Sequence, residues 1–453
     1  MTIAELHKVF LECGGKVTTD SRTISGGELF FALKGENFDG NRFAAKALEA
    51  GAAYAVVTEG SEAAMMAQQA LADNAATATA SRFLVFPDTL KALQQLATYH
   101  RENTLHDDRR IKMLALTGTN GKTTTKELIK VVLSAKYNLT ATGGNFNNNI
   151  GVPLTLLQMT ADTELAVVEM GASHPGDIKE LVDIAHPDYG LITNVGRAHL
   201  LGFGSFDGVK NTKGELYDYI LGVRGKCFVN TSSQDLVSMA EQRTGLLTIP
   251  YGSRLQNAKI LPLDAENPFL RMSIEADGHT YLVNTHLVGS YNADNVLAAI
   301  AVGQEFGVDV QTAINAISAY IPNNNRSQMY ASEFNTLIVD AYNANPSSMA
   351  AALDNFCLIR AALKAVFIGD MLELGAESAT EHRKVLDKLA DMNPDLVILV
   401  GKEFASADKE HKYNCFATSD EAAEYLSANP LKGFTILVKG SRGTRMEKLI
   451  PVL

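Results

Sequence analysis

From residue 113 onward, short runs of consecutive apolar residues recur, each closed by a polar or glycine-rich turn. Met113 to Leu116 precedes TGTNGK, Leu165 to Val168 precedes EMG, and Gly190 to Ile192 precedes TNVG. Leu337 to Val339 precedes DAYNANP, Val366 to Ile368 precedes GDMLELG, Leu396 to Val400 precedes GKE, and Thr435 to Val438 precedes KGSRG. Runs this short with helix-like segments between them predict buried parallel strands of α/β sheets. In such sheets ligands collect at the carboxyl ends of the strands, where these turns fall.

Helical spacing marks further elements. The opening MTIAELHKVFLECGG sets Glu5, Lys8 and Glu12 inside its apolar pattern, so it reads as an amphipathic helix and not as a signal peptide. Leu90, Leu93 and Ala97 predict a helix over Pro87 to Arg101, with Pro87 suited to its start, and the charged RENTLHDDRR that follows reads as a connector. A helical stretch from Gln311 to Tyr320 gives way to the Pro/Asn cluster IPNNNRSQ, a second boundary. With 453 residues and roughly 150 per domain, the expectation is α/β architecture in three domains: a small N-terminal module (1–85), a large centre (86–321) and a C-terminal α/β domain (322–453). No stretch approaches the roughly 20 apolar residues of a bilayer span.

Composition narrows the chemistry. A formal net charge of -11 argues against a nucleic-acid binder, since phosphate backbones demand a basic face, and any anionic ligand must meet a local cluster of donors. Cys13, Cys227, Cys357 and Cys415 are far apart with no CxxC pair, so they read as reduced thiols of a cytosolic protein and not as a zinc site.

The strongest local signal is Leu114-Ala-Leu-Thr-Gly118-Thr119-Asn120-Gly121-Lys122-Thr123-Thr124, an apolar strand, a glycine turn and then a helical segment. Backbone N–H groups of such a turn and the helix N-terminus form an anion cradle. Lys122 then neutralises the β/γ-phosphates of a nucleoside triphosphate and the Thr123 hydroxyl ligates Mg²⁺. The usual loop carries a glycine where this chain has Leu116, so Gly118 makes a shorter GxxGKT. A turn whose glycines serve only geometry would not need Lys-Thr directly after it. A regulatory GTPase would need a guanine-reading NKxD, which the chain lacks.

TGTNGKTT with this shortened spacing resembles the Mur ligase family. The likeness extends through DSRTISGGELFFALKGENFDGNRFAAKALEAGAAYAVV, GNFNNNIGVPLTLL, VVEMGASHPGDI, ITNVGRAHLLGFGS, DAYNANPSSM, GDMLELG and LVKGSRGTRME, and so covers all three expected domains. It implies an N-terminal UDP-muramyl-binding module, a central P-loop parallel-sheet ATPase domain and a Rossmann-like C-terminal domain. It also implies a cytoplasmic, monomeric, ATP-dependent ligase of peptidoglycan synthesis that adds D-alanyl-D-alanine to UDP-N-acetylmuramoyl-tripeptide through an acyl phosphate. The alternatives are a sibling or folate-polyglutamylating ligase adding one amino acid, which YNANP and GDMLELG disfavour, and a regulatory P-loop NTPase.

The resemblance implies roles residue by residue. Lys122, Glu169, His199 and Lys213 form the catalytic set; Glu169 joins Thr123 on one Mg²⁺, His199 holds a second, and Lys213 of the KGE segment carries a carbamate. Taken alone, His199 reads as a turn histidine and Lys213 as a helix-surface lysine. Asn292 and Asn295 are expected near adenine, with Tyr291 where a histidine is common. Arg326 is expected to reach the γ-phosphate, and Asp340, Tyr342, Asn343 and Asn345 to line the C-terminal side of the cleft, Val339 replacing a common acid. Asn145, Asn147 and Asn148 are candidates for the muramyl substrate, although an Asn-rich loop is often turn chemistry. Asp20, Ser21, Arg22 and Lys34 are candidates for UDP, and Lys439 and Arg442 for the dipeptide carboxylate. Residues assigned to one ATP lie on both sides of Pro322, which predicts domain closure.

Overall fold

The first helix starts where the sequence provides its own cap. The Thr2 hydroxyl accepts from the Glu5 amide while the Glu5 carboxylate accepts from the Thr2 amide, and the helix Ile3–Glu12 buries Leu6 and Phe10. The computed structural model describes residues 1–35, 38–72, 80–262, 268–323 and 326–453, so Asn324 and Asn325 of the expected linker lie outside the described residues. The chain gathers into two compact units, one of residues 1–115, 137–171 and 177–188 and the other of residues 116–136, 172–176 and 189–453.

In the first unit, Val17–Thr18, Leu29–Phe31, Tyr54–Thr58 and Phe83–Phe86 form a parallel sheet in chain order. Phe30, Ala55, Val57 and Phe83 of its strands pack on Ala44, Leu48 and Ala64 of the covering helices. Each large apolar side chain buried this way contributes roughly 1.5–3 kcal/mol. The helix predicted from Pro87 spans Thr89–Asn103 and is capped by Asp88, whose carboxylate accepts from the Lys91 amide. Pro87 therefore precedes the cap and does not open the helix.

The charged connector is built into the fold. Arg101 is fully buried on that helix, with Nε donating to the Ala185 carbonyl and the guanidinium 3.3 Å from Asp188. Beyond it, Leu105–His106 and Arg109–Arg110 pair as a short antiparallel hairpin. The strand Lys112–Thr117 carries the chain out of this unit after Ala115. On its return, Leu139–Ala141 pairs in parallel with Leu165–Glu169.

In the second unit Tyr189–Ile192, Lys226–Asn230 and Leu247–Tyr251 run parallel. A three-stranded antiparallel sheet of Lys259–Ile260, Phe269–Ala276 and His279–Val288 was not expected. Its signal was present: alternating RMSIEA and HTYLVN flank Asp277-Gly278, both at positive φ, a two-residue hairpin turn.

The C-terminal sheet runs Gln328–Ala331, Thr336–Asp340, Phe434–Lys439, Leu363–Gly369, Leu396–Val400 and Asn414–Phe416, parallel except for its first pair. DAYNANP, KGSRG and GDMLELG thus leave three adjacent strands at one edge, with Asp340 and Ile368 both in register with Lys439. Among the described residues no helix is long and apolar enough to cross a membrane.

Candidate active site

The glycine turn takes backbone shapes that its side chains could not. Gly118 (φ +147) and Gly121 (φ +76) lie where a Cβ would come within 2.0 Å of Thr193 Oγ1 and 2.6 Å of Asn295 Oδ1. The helix Lys122–Ser134 follows with Gly121 as a left-handed cap that makes no side-chain cap hydrogen bond, and a helix N-terminus of this kind suits an anion.

Two residues absent from the expected site lock this loop. Thr193 Oγ1 and Asn194 Nδ2 donate to the Asn120 carbonyl at 2.6 and 2.9 Å, and the Asn120 amide donates to Asn194 Oδ1 at 2.9 Å. Thr119 Oγ1 donates to the Gly196 carbonyl and accepts from the Gly196 amide. The signal for Thr193 and Asn194 was their place in the polar turn after the run ending at Ile192. Lys122 Nζ donates to the Gly118 and Thr119 carbonyls at 2.8 and 3.1 Å, so its charge is held over the loop, while Thr123 and Thr124 are buried.

Asn292 and Asn295, expected near adenine, lie together behind the phosphate-loop helix. Both are buried, and their amides serve the scaffold: Thr125 Oγ1 donates to Asn295 Oδ1, Asn295 Nδ2 to Asn292 Oδ1, and Asn292 Nδ2 to the Val288 carbonyl and Ser327 Oγ. They hold the back of the phosphate-loop helix.

In the same unit His199 (φ +51) caps a short helix, and its Nδ1 pairs with the Glu373 carboxylate. Burial, more than the opposing pull of Glu373, moves this imidazole below the ordinary histidine pKa, and the charges of Lys122 and Lys213 add to the effect. Lys213 is 2% exposed on the helix Phe206–Gly222, with Nζ 5.6 Å from the Phe203 ring centre. The plain reading of it as a solvated lysine therefore fails.

Glu169 belongs to the first unit, fully buried at the end of its strand, with Oε1 accepting from Asn147 Nδ2 at 2.9 Å. Asn148 Oδ1 accepts from the Ile150 and Gly151 amides and shapes the turn. Asn145 is exposed. Near the N-terminus Asp20 and Arg22 pair at 2.6 Å, and the guanidinium holds the Asp20 carboxyl down at about 2, with Ser21 between them and Lys34 exposed.

At the C-terminal edge Lys439, 1% exposed, donates to Asp340 and to the Asn343 carbonyl. Lys439 is thus paired with Asp340, and of the two cations expected for the dipeptide Arg442 is the exposed one. Asn345 caps the helix Pro346–Leu358 and donates through Nδ2 to Asn120 Oδ1 at 2.8 Å, so it bridges to the phosphate loop. Asn343 Oδ1 accepts from the Ala344 amide. The Arg326 and Arg442 guanidinium carbons lie 3.6 and 5.3 Å from the centre of the Tyr342 ring.

No group of three or more His, Cys, Asp or Glu is gathered for a metal among the described residues. The expected donor set is of another kind: the Thr123 hydroxyl, the buried Glu169 carboxylate, the His199 imidazole and a buried Lys213. Hydroxyl and carboxylate oxygens suit a hard cation such as Mg²⁺. A carbamate on Lys213 would add two more and remove a buried ammonium.

Three family models match the chain: the Mur ligase family catalytic domain over residues 16–101, the Mur ligase middle domain over residues 116–303 and the Mur ligase glutamate ligase domain over residues 325–442. UDP-N-acetylmuramoyl-tripeptide--D-alanyl-D-alanine ligase of Bacillus subtilis (strain 168) is 33% identical over 96% of this chain and 92% of its own. The enzyme of the same name from Escherichia coli (strain K12) is 32% identical over 96% and 93%. Among solved structures, MurF from Acinetobacter baumannii superposes with a TM-score of 0.81 at 31% identity, covering 96% of this chain and 92% of that one.

Proposed function

Because the chain belongs to the Mur ligase family, we propose that it is the member that joins D-alanyl-D-alanine to UDP-N-acetylmuramoyl-tripeptide in peptidoglycan synthesis, cleaving ATP to ADP and phosphate. The observation that carries this is near-full-length identity to ligases of that name, in a chain whose phosphate loop is fully formed. The enzyme is an ATP-dependent ligase.

The chemistry follows from what an amide needs. A carboxylate does not condense with an amine at neutral pH because oxide is a poor leaving group. The tripeptide carboxylate attacks the γ-phosphorus, ADP leaves, and the acyl phosphate is then attacked by the dipeptide amine to expel inorganic phosphate. The protein's task is to position anions and screen their charge. In our reading the 118–124 backbone cradles the phosphates and Lys122 meets the charge developing on the transferred group. Arg326 adds a planar cation and Arg442 meets the dipeptide carboxylate. Residues 1–85 serve the UDP-muramyl end through Asp20, Ser21, Arg22 and Lys34, residues 86–321 the nucleotide, and residues 322–453 the dipeptide.

Thr123, Glu169, His199 and a carbamylated Lys213 are the residues that would ligate Mg²⁺. Bound there, Mg²⁺ supplies charge neutralisation of the phosphoryl oxygens. Lys213 is 2% exposed, and converting its ammonium to a carbamate would replace a charge that repels Mg²⁺ with oxygens that suit it. Lys213→Ala should be nearly inactive and regain part of its rate with excess short carboxylic acids; a folded variant with no such recovery would remove the carbamate from this reading. We read the enzyme as a cytoplasmic monomer.

Phosphate release from ATP, measured with UDP-muramyl tripeptide and a panel of acceptors, tests the assignment. Sustained turnover is expected only with D-alanyl-D-alanine. Preference for alanine, glutamate or lysine alone would make the chain a sibling ligase, and nucleotide hydrolysis without any muramyl substrate would make it a P-loop NTPase.

A further inference from the structure

The GDMLELG turn has no part in the site described above, yet it reaches the loop that carries His199. Glu373, in the turn after the strand Leu363–Gly369, places its carboxylate on His199 Nδ1. Two further contacts join the same segments: Arg197 Nη1 lies 3.6 Å from Glu377 Oε2, and a Cβ on Gly375 would sit 3.5 Å from Leu201 Cδ1.

Both partners of the central contact have left-handed backbones, His199 at φ +51 and Glu373 at φ +66. Such conformations are unfavourable for a non-glycine residue and persist only where the surroundings impose them. Here the surroundings do so. The Leu372 amide donates to Ser441 Oγ and the Met371 amide to His382 Nε2, while Asp370 accepts from the Glu403 and Phe404 amides. The turn is pinned up to the residue before Glu373, whose side chain is left to project.

We propose that Glu373 is a positioning residue for His199. A carboxylate only accepts, so the proton must sit on Nδ1, and Nε2 is left with its lone pair. That is the tautomer a ligating or accepting histidine needs, and a carboxylate behind such a histidine fixes both its ring orientation and its basicity. The C-terminal portion thereby sets the state of a residue of the central portion. The functional consequence rests on the role given to His199 above; the tautomer does not.

Nitrogen-15 NMR of the histidine rings in the protein without nucleotide or metal is the primary test. Wild type should show His199 protonated at Nδ1, and Glu373→Gly, which also suits the positive φ, should shift that ring toward Nε2 protonation while the melting temperature holds. Glu373→Gln keeps an acceptor and should keep the wild-type tautomer, as should Glu377→Gln. In turnover, Glu373→Gly should lose about 10- to 100-fold in kcat/KM, Glu373→Gln should recover most of it, and Glu373→Gly should add little to His199→Ala. An unchanged His199 tautomer in Glu373→Gly would overturn the proposal. A shifted tautomer with unchanged turnover would leave the pairing intact and remove His199 from the proposed reaction.

Discussion

Around Gly118–Thr124 the groups that would meet ligand are mostly backbone, held by Thr193, Asn194 and the Asn292–Asn295 pair, none of which needs to touch the ligand. Around Asp340, Tyr342 and Lys439 they are side chains that hold one another, the ammonium on the carboxylate and two guanidiniums against one ring. The first arrangement separates shape from chemistry, so that one charged side chain, Lys122, can be removed without disturbing its frame. In the second, the side chains proposed to bind are also the frame. Substitutions should therefore divide cleanly into activity and stability effects at the phosphate loop and mix them at the C-terminal edge.

The sharpest way to break this contrast is Lys439→Met. It leaves the Asp340 carboxylate without its buried cation, and removing one member of such a pair costs about 3–5 kcal/mol. Chemical denaturation should show a loss of that order together with loss of activity. Lys122→Ala should do the opposite, lowering kcat/KM by on the order of 10²–10³ with an unchanged denaturation midpoint. A large stability loss in Lys122→Ala, or none in Lys439→Met, would erase the distinction.

Smaller effects sharpen it. Asn295→Ala removes a buried partner of Thr125 and Asn292, and an orphaned buried group costs about 1–3 kcal/mol. Thermal melting should fall accordingly; a KM for ATP that moves only as far as the loop loosens would mark a scaffold role, and a specific loss of adenine over guanine selectivity would mark a contact to the base. Arg442→Lys keeps charge but loses the planar fork, so KM for the dipeptide should rise by about tenfold or less, with stability and KM for ATP unchanged.

The same contrast explains what the sequence could tell. Backbone-made features are spelled by spacing, so Gly118, Gly121 and Lys122 were legible, as were apolar runs such as Leu396–Val400, the strand observed. Side-chain partnerships are not spelled that way. Nothing in the order of residues says that Lys439 belongs to Asp340, 99 positions away, that Asn345 reaches Asn120, or that Arg101 of a charged connector is buried against Asp188. Family resemblance named such residues as a group and could not say which would hold the others. The antiparallel sheet around Asp277-Gly278 is different: its alternation and its turn are local in the sequence and readable there.

The central claim is that the tripeptide carboxylate is phosphorylated before the amide forms, and oxygen tracing tests it most directly. With both carboxylate oxygens of the terminal tripeptide residue labelled with oxygen-18, each turnover with D-alanyl-D-alanine should send one labelled oxygen into inorganic phosphate and leave the other in the new amide, in a product heavier by the dipeptide less water. Labelled product accompanied by unlabelled phosphate would contradict the acyl phosphate, and with it the account of why this chain holds its phosphate loop and its C-terminal cations as it does.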